Sequence, residues 1–392
     1  MAVEALPHRD VVLVALDGRG SVVGELEPFR ADTPWWQDLE PVLAAHPDVV
    51  VLRLLDVVPD PTGPMGGLVR YLVEAPASWI AANRLRAPSR PLLLQEHPLR
   101  MPWARPGGPA ADLEWAAARV DVSGRPRQVR SWNLSSIWRL PTRDGDVWLK
   151  CVPPFFAHEA YVIRSLAASA SVPRLIAAEG HRMLLEAMPG VDGYGASERE
   201  RAQIAETVVD VLAPTAPRVD ELVAGGVPDW RRRPLRDLAA DVVARDGLPG
   251  DPLHRLVDGW DAVMSKVGDA GLPDVLFHGD PHPGNARIGI AGIENPAGEV
   301  IVFDWGDSGV GHPLLDTDVI GEPSLGAWFG AWARAFPGSD PATAWQALQP
   351  VAALRGAVVF RRFLDNIEPS ERVYHQDDVE PFLAKARERL PV

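Results

Sequence analysis

The sequence predicts an α+β protein with more than one domain. Strand-like runs crowd the first third of the chain, and helical periodicity dominates after about residue 190. A single β-rich island at 275–304 interrupts those helices. A chain of 392 residues suits two or three domains rather than one.

Each element follows from local chemistry. The runs 10–16 (DVVLVAL) and 21–27 (SVVGELE) flank Asp17-Gly18-Arg19-Gly20, which is hairpin turn chemistry. Asp32 or Thr33 can cap a helix through WWQDLEPVLAA, with Pro34 near its first turn and Pro41 either tolerated or ending it. The runs 49–55 and 67–75 read as further strands. A proline-rich stretch, 86–110, reads as a linker, and a short helix over 111–120 follows. Strands are predicted at 128–131, 137–140 and 147–152, a helix at 156–168 and a buried strand at 183–187 closed by Pro189-Gly190. Helices are then predicted at 197–212, 233–245, 252–268, 325–336, 341–364 and 377–389. No repeat and no heptad run is visible.

Composition excludes several functions. Lys plus Arg number 39 against 53 Asp plus Glu, a net charge of −14, whereas a nucleic-acid binder needs a basic face. The same charge would repel an anionic membrane and attract a cationic substrate. The single cysteine, Cys151, rules out an intramolecular disulfide and a Cys-rich zinc site. The first ten residues lack the basic-then-apolar pattern of a secretory signal, and no run approaches the ~20 apolar residues of a membrane span. A soluble cytoplasmic protein acting on a small molecule, without nucleic-acid or membrane partners, is the expectation.

The chemistry concentrates in the island. An apolar strand delivers His278-Gly279-Asp280 into a loop, and Asn285 follows five residues after Asp280. A hairpin turn at about 291–298 leads to a second strand, which delivers Asp304 in VFDWGD. Phosphoryl transfer needs a carboxylate to orient the acceptor hydroxyl and take its proton, and hard oxygen donors to hold Mg²⁺ on the phosphates. Asp280 suits the first role; Asn285 and Asp304 suit the second.

HGDPHPGN followed by VFDWGD resembles the signature of the aminoglycoside phosphotransferase and choline kinase family, relatives of the protein kinases. The resemblance covers roughly residues 125–370. It implies a bilobal protein-kinase-like fold, with a mixed β N-lobe and a mainly helical C-lobe. The extra α+β domain at 1–120 then reads as a cap with its linker, 121–190 as N-lobe and hinge, and 191–392 as C-lobe. A degenerate Nudix-like domain is the other reading of 1–120, but the Glu-rich box of that chemistry is absent.

The resemblance also implies ATP and Mg²⁺ as cofactors and a set of nucleotide contacts. Lys150, ending VWLK, would pair with Glu159 in HEAYVIRSL and face the α- and β-phosphates. Backbone groups of Glu186 and Met188 would meet adenine. The loop Ser131-Trp132-Asn133-Leu134-Ser135-Ser136 stands where a glycine-rich loop would lie, so Ser135 and Ser136 become phosphate-contact candidates. His278 and Asp316 are expected to brace the loop. Asp307 is open between support and a metal or substrate role, and His282, Trp328, Trp332 and Trp345 are weaker acceptor candidates. The implied acceptor is an amino sugar, aminoglycoside, amino alcohol or related metabolite. A catalytically weak kinase-like binding module is the alternative, opposed by the intact set of Lys150, Asp280, Asn285 and Asp304. A protein kinase is disfavoured because nothing resembles the Ala-Pro-Glu end of an activation segment.

Overall fold

The structure is a computed structural model describing residues 8–60, 65–92, 94–289 and 299–390. The chain forms two compact units, each assembled from separate stretches: Met1–Pro154 with Ile176–Glu186 and Asn366–Tyr374, and Phe155–Leu175 with Ala187–Asp365 and His375–Val392.

The first unit holds two five-stranded sheets. In the first, β1 (Arg9–Leu16) forms an antiparallel hairpin with β2 (Val22–Glu25), and β3 (Phe29–Ala31) also pairs with β1. The strands β4 (Val50–Val58) and β5 (Gly67–Glu74) are antiparallel to each other, and β5 runs parallel to β1. The hairpin turn is held by Asp17 Oδ1, which accepts from Arg19 N at 2.9 Å and Ser21 N at 2.8 Å. Because strand side chains alternate, Val11, Leu13 and Ala15 pack with Trp36, Tyr71 and Trp79, while Val12, Val14 and Leu16 pack with Leu52 and Leu72.

The helix expected from residue 33 onward is confined to Glu40–Ala45. Residues 33–39 bond elsewhere: Trp36 Nε1 donates to Gly66 O at 2.8 Å, Tyr71 Oη donates to Trp36 O, and Leu39 N donates to Val129 O at 3.1 Å. Pro41 sits in the first turn, where its missing N–H costs nothing.

The second sheet has the order β6 (Arg127–Ser131), β7 (Ser136–Thr142), β8 (Gly145–Cys151), β10 (Arg182–Glu186), β9 (Leu175–Glu179). The strand β9 was not foreseen. Gln128 ties the two sheets, its Nε2 donating to Val51 O at 2.7 Å and its Oε1 accepting from Val51 N at 3.0 Å. That mimics one more strand pairing on the edge of β4. The proline-rich stretch is anchored rather than free: Glu368 takes a two-pronged ion pair from Arg100, closest at 2.9 Å, and both side chains are buried. The short stretch Asn366–Tyr374 thereby belongs to this unit although the helices around it do not.

The second unit is mainly helical. Its longer helices are Glu198–Leu212, Arg232–Asp246, Trp260–Asp269, Leu325–Ala335, Pro341–Asn366 and Val379–Glu388. A capping box starts the first of these, Ser197 with Glu200. The helix predicted over 252–268 is two, Leu253–Asp258 and Trp260–Asp269, broken at Gly259. Two small sheets carry the island: β11 (Val191–Asp192), β13 (Ala286–Ile288) and β14 (Val300–Val302) form one, and β12 (Val275–Phe277) pairs antiparallel with β15 (Gly309–Gly311). The predicted turn at 291–298 lies outside the described residues. No helix among the described residues is long and apolar enough to cross a membrane.

Candidate active site

The site in the second unit is built from two strand ends. β12 delivers His278-Gly279-Asp280, and β14 delivers Phe303-Asp304. His278, fully buried, ties them: its Nε2 lies 3.0 Å from Phe303 O and its Nδ1 accepts from Asp280 N at 3.3 Å. A carbonyl can only accept and a backbone N–H can only donate, so the ring is the neutral Nε2–H tautomer. It also lies against Trp305, with ring centroids 4.4 Å apart.

Beneath the loop, Asp316 accepts from His278 N at 2.8 Å and Gly279 N at 3.0 Å, so both backbone donors are satisfied by one buried carboxylate. Burial pushes the Asp316 carboxyl up to about 6, against the opposing pull of Arg355 and the two N–H groups. The bracing roles expected of His278 and Asp316 are what these contacts perform.

Gly279 has φ 92°, and a Cβ there would lie 2.0 Å from Asp307 O, so glycine alone fits against the backbone of 305–307. Asp304 is the one non-glycine residue with positive φ among the described residues, at φ 66° and ψ 66°. Aspartate tolerates this left-handed turn better than most residues. The turn ends β14 and starts the short 3-10 helix Trp305–Asp307.

Asn285 closes the constellation. Its Nδ2 donates to Asp280 O at 2.9 Å and to Asp280 Oδ2 at 3.0 Å, while Phe303 N donates to Asn285 O at 2.9 Å. With its amide nitrogen turned to Asp280, the Asn285 side-chain oxygen is left for another partner. Burial, and then the neighbouring Asp304 carboxylate, push the Asp280 carboxyl above the ordinary range; His282, Asn285 and Arg355 oppose that. Two close carboxylates and an amide oxygen are hard donors that call for a cation, and they fit Mg²⁺, which takes few protein ligands.

Arg355, on the helix Pro341–Asn366, is a component the sequence did not reveal. Buried to 5% exposure, it donates to Gly279 O at 3.3 Å and Asp307 O at 3.4 Å. Its guanidinium lies 4.6 Å from the Phe277 ring centroid. Burial pulls its guanidinium below the ordinary range, opposed by the carboxylates of Asp316, Asp307 and Asp280. No local pattern could have found it, because it stands 75 residues beyond Asp280 in an unremarkable helical run.

The remaining candidates fall as follows. Glu159, buried on the helix Glu159–Ser165, accepts from Trp305 N at 3.1 Å with its Oε1, next to Asp304. Lys150 lies on β8 and is 8% exposed, opposite Ile137 and Met183. Glu186 ends β10 and is exposed; Met188, just beyond it, is half-buried.

Ser135 and Ser136 lie in the interior of their unit. Both are buried, and their hydroxyls accept from tryptophan, Trp132 Nε1 to Ser135 Oγ at 3.0 Å and Trp138 Nε1 to Ser136 Oγ at 3.2 Å. Asn133, fully buried, donates to Glu371 O at 3.2 Å. The loop lacks the glycines that would open it toward a phosphate, and its side chains face inward. Trp328 and Trp332 are fully buried core residues, and Trp328 donates to Thr317 Oγ1 at 3.0 Å.

Another cluster of ligand-type side chains stands in the first unit. Asp112, Cys151 and His181 bring ligand atoms within 4.8 Å of one another. Arg182 Nε already occupies Asp112 Oδ1 at 2.6 Å, and burial pushes the Cys151 thiol up, so the group is a hydrogen-bonded network around a buried carboxylate.

The model of the phosphotransferase enzyme family matches residues 127–384. Among solved structures, the GDP and kanamycin complex of APH(2″)-IIIa is 11% identical, at TM-score 0.50, over 72% of this chain and 98% of its own. The macrolide 2′-phosphotransferase MphH from Brachybacterium faecium is 19% identical, at TM-score 0.45, over 67% and 96%. The Plasmodium vivax ethanolamine kinase is 10% identical, at TM-score 0.48, over 68% and 84%. No curated protein sequence matches the chain significantly. The first of these structures carries the kinase-like fold to this chain.

Proposed function

The chain belongs to the phosphotransferase enzyme family, and we propose that it moves the γ-phosphoryl group of ATP onto a hydroxyl of a small molecule, with Asp280 as the base. The acceptor classes that suit this reading are amino sugars, aminoglycosides, amino alcohols and related metabolites. The observation that carries it is the Asp280 carboxylate, half-exposed, hydrogen-bonded by Asn285 and set beside Asp304.

In this mechanism Asp280 accepts the proton of the acceptor hydroxyl as its oxygen attacks the γ-phosphorus. The new O–P bond forms, the bond to the β,γ-bridging oxygen breaks, and ADP leaves with that electron pair. Asn285 and Asp304 would hold Mg²⁺, which supplies charge neutralisation on the phosphates. Glu159 would orient Lys150 toward the α- and β-phosphates, and backbone groups of Glu186 and Met188 would receive adenine. Ser135 and Ser136, whose hydroxyl oxygens already accept from indole N–H groups, would contribute little to nucleotide binding. Residues 1–120 would serve as a cap, 121–190 as N-lobe and hinge, and 191–392 as C-lobe.

The test is ADP release from Mg·ATP across aminoglycosides, amino sugars, plain sugars and amino alcohols, with Asp280→Ala as control. Release that vanishes in the control supports the assignment; release that persists removes Asp280 from the chemistry.

A further inference from the structure

Beside the catalytic loop stands an aromatic side chain that is fixed in place without being buried. Tyr194 is 64% exposed, an unusual position for a residue so tightly located. It follows β11, which pairs antiparallel with β13 immediately after the catalytic loop. Asp192 Oδ1 accepts from Tyr194 N at 3.2 Å and starts the short turn Gly193–Gly195. Two glycines make the approach possible. A Cβ on Gly193 would lie 2.1 Å from Pro283 O, and a Cβ on Gly284 would lie 2.5 Å from the Tyr194 ring. The ring therefore lies against bare loop backbone one residue before Asn285, and its outer side faces solvent.

His282 completes the surface. It is exposed, two residues after Asp280, and its ring centroid lies 5.6 Å from that of Tyr194. Its Nδ1 accepts from Gly284 N at 3.0 Å. A nitrogen that accepts a backbone N–H carries no proton in the neutral ring, so the proton sits on Nε2, on the side of the ring away from the loop. His282 also lies close enough to Asp280 to act electrostatically on that carboxylate. The surface thus presents an open aromatic face, one outward N–H donor and, beyond it, the carboxylate of the base. Burial gives Tyr194 little reason to be held so closely, whereas a binding site needs a few polar groups placed around an apolar surface.

We propose that Tyr194 and His282 form the acceptor platform of this enzyme and select a hydroxylated ring. The ring's C–H face lies on Tyr194, one ring hydroxyl accepts from His282 Nε2–H, and the reacting hydroxyl reaches Asp280. A short open-chain amino alcohol has no face to lay on the tyrosine. The proposal rests on the kinase reading above and adds the acceptor class and the residues that recognise it.

The experiment is steady-state ADP release from Mg·ATP with glucosamine and kanamycin as ring acceptors and choline and ethanolamine as open-chain ones. The native enzyme is compared with Tyr194→Ala, Tyr194→Phe and His282→Asn. Asparagine at 282 can still accept from Gly284 N through Oδ1 but lacks the outward donor, so the loop keeps its cap. A ring acceptor is expected to be turned over. Its KM is expected to rise about tenfold in Tyr194→Ala and in His282→Asn, as for a lost contact of ~1.4 kcal/mol. Tyr194→Phe should restore the native value, and the KM for ATP should stay within about twofold throughout. An unchanged acceptor KM in both variants would overturn the platform while leaving the kinase intact. Turnover of choline or ethanolamine without the ring acceptors would overturn the ring assignment. An equal rise in the KM for ATP would make the two side chains mere supports of the loop. No ADP release that depends on Asp280, with any of the four acceptors, would bring down the kinase reading and the platform together.

Discussion

The loops 131–136 and 278–285 both carry polar side chains, and both would be assigned to phosphate chemistry from sequence. They are built in opposite ways. In 278–285 the supporting groups point inward: His278, the backbone of Gly279, and Asp316 beneath them form closed hydrogen bonds. That scaffold leaves Asp280 and Asn285 half-exposed. In 131–136 the serines themselves are the inward-facing groups, and each hydroxyl already accepts from an indole N–H. The identity of a polar residue says what chemistry it could do. How much of its hydrogen-bonding capacity the fold already uses bears on how freely it can do it.

The sharpest way to break this contrast is Asp280→Ala. Turnover should fall about 10²- to 10⁴-fold, the range of a lost general base, with Mg·ATP binding retained by calorimetry. A native rate would place the chemistry elsewhere. Asp304→Ala should come next, abolishing the Mg²⁺ dependence of nucleotide binding; tight binding that still needs Mg²⁺ would exclude Asp304 as a ligand.

Removing the scaffold tests the same loop from beneath. Asp316→Ala orphans two buried N–H groups, at a cost of about 1–3 kcal/mol each. Chemical denaturation should show that loss together with reduced turnover, and an unchanged midpoint would mean the loop is held by other contacts. On the other loop, Ser136→Ala should lower stability by about 1–3 kcal/mol by leaving the buried Trp138 indole N–H unpaired, and Ser135→Ala, whose bond to Trp132 is only part-buried, by less. The KM for ATP should barely move. A large rise in that KM without lost stability would return the serines to the nucleotide site.

A pH-dependent effect concerns Glu371, whose carbonyl receives the Asn133 side chain. Burial first, and then Glu368, push its carboxyl from 4.5 up to about 8. The folded protein therefore binds more protons than the unfolded chain across that window, so this group's contribution to stability declines from about pH 4.5 to about pH 8. Glu371→Gln cannot ionise and escapes the decline. Its melting temperature relative to the native protein should climb from pH 5 to pH 8, and a flat difference would mean that Glu371 is ionised throughout.

The sequence made the candidate site residues legible because they are local. Asp280 and Asn285 share one short loop, and Asp304 ends the next strand, so spacing alone carries their geometry. The helix at 40–45 shows the opposite case: the pattern supported a longer helix, but Gly66, Tyr71 and Val129 capture the backbone and side chains of 36–39. The break at Gly259 and the strand Leu175–Glu179 were likewise not written in the periodicity.

By itself, then, the sequence determined the α+β class, the kinase-like signature and the residue types for phosphoryl transfer, because each is written in a few consecutive residues. Tertiary structure alone decided that Asp316 and Arg355 support the loop, that the stretch Asn366–Tyr374 joins the N-terminal sheets, and that Ser135 and Ser136 are buried beneath indole N–H donors. Those outcomes depend on which distant donors and acceptors fill one another in the folded chain, and no short window of sequence contains both partners.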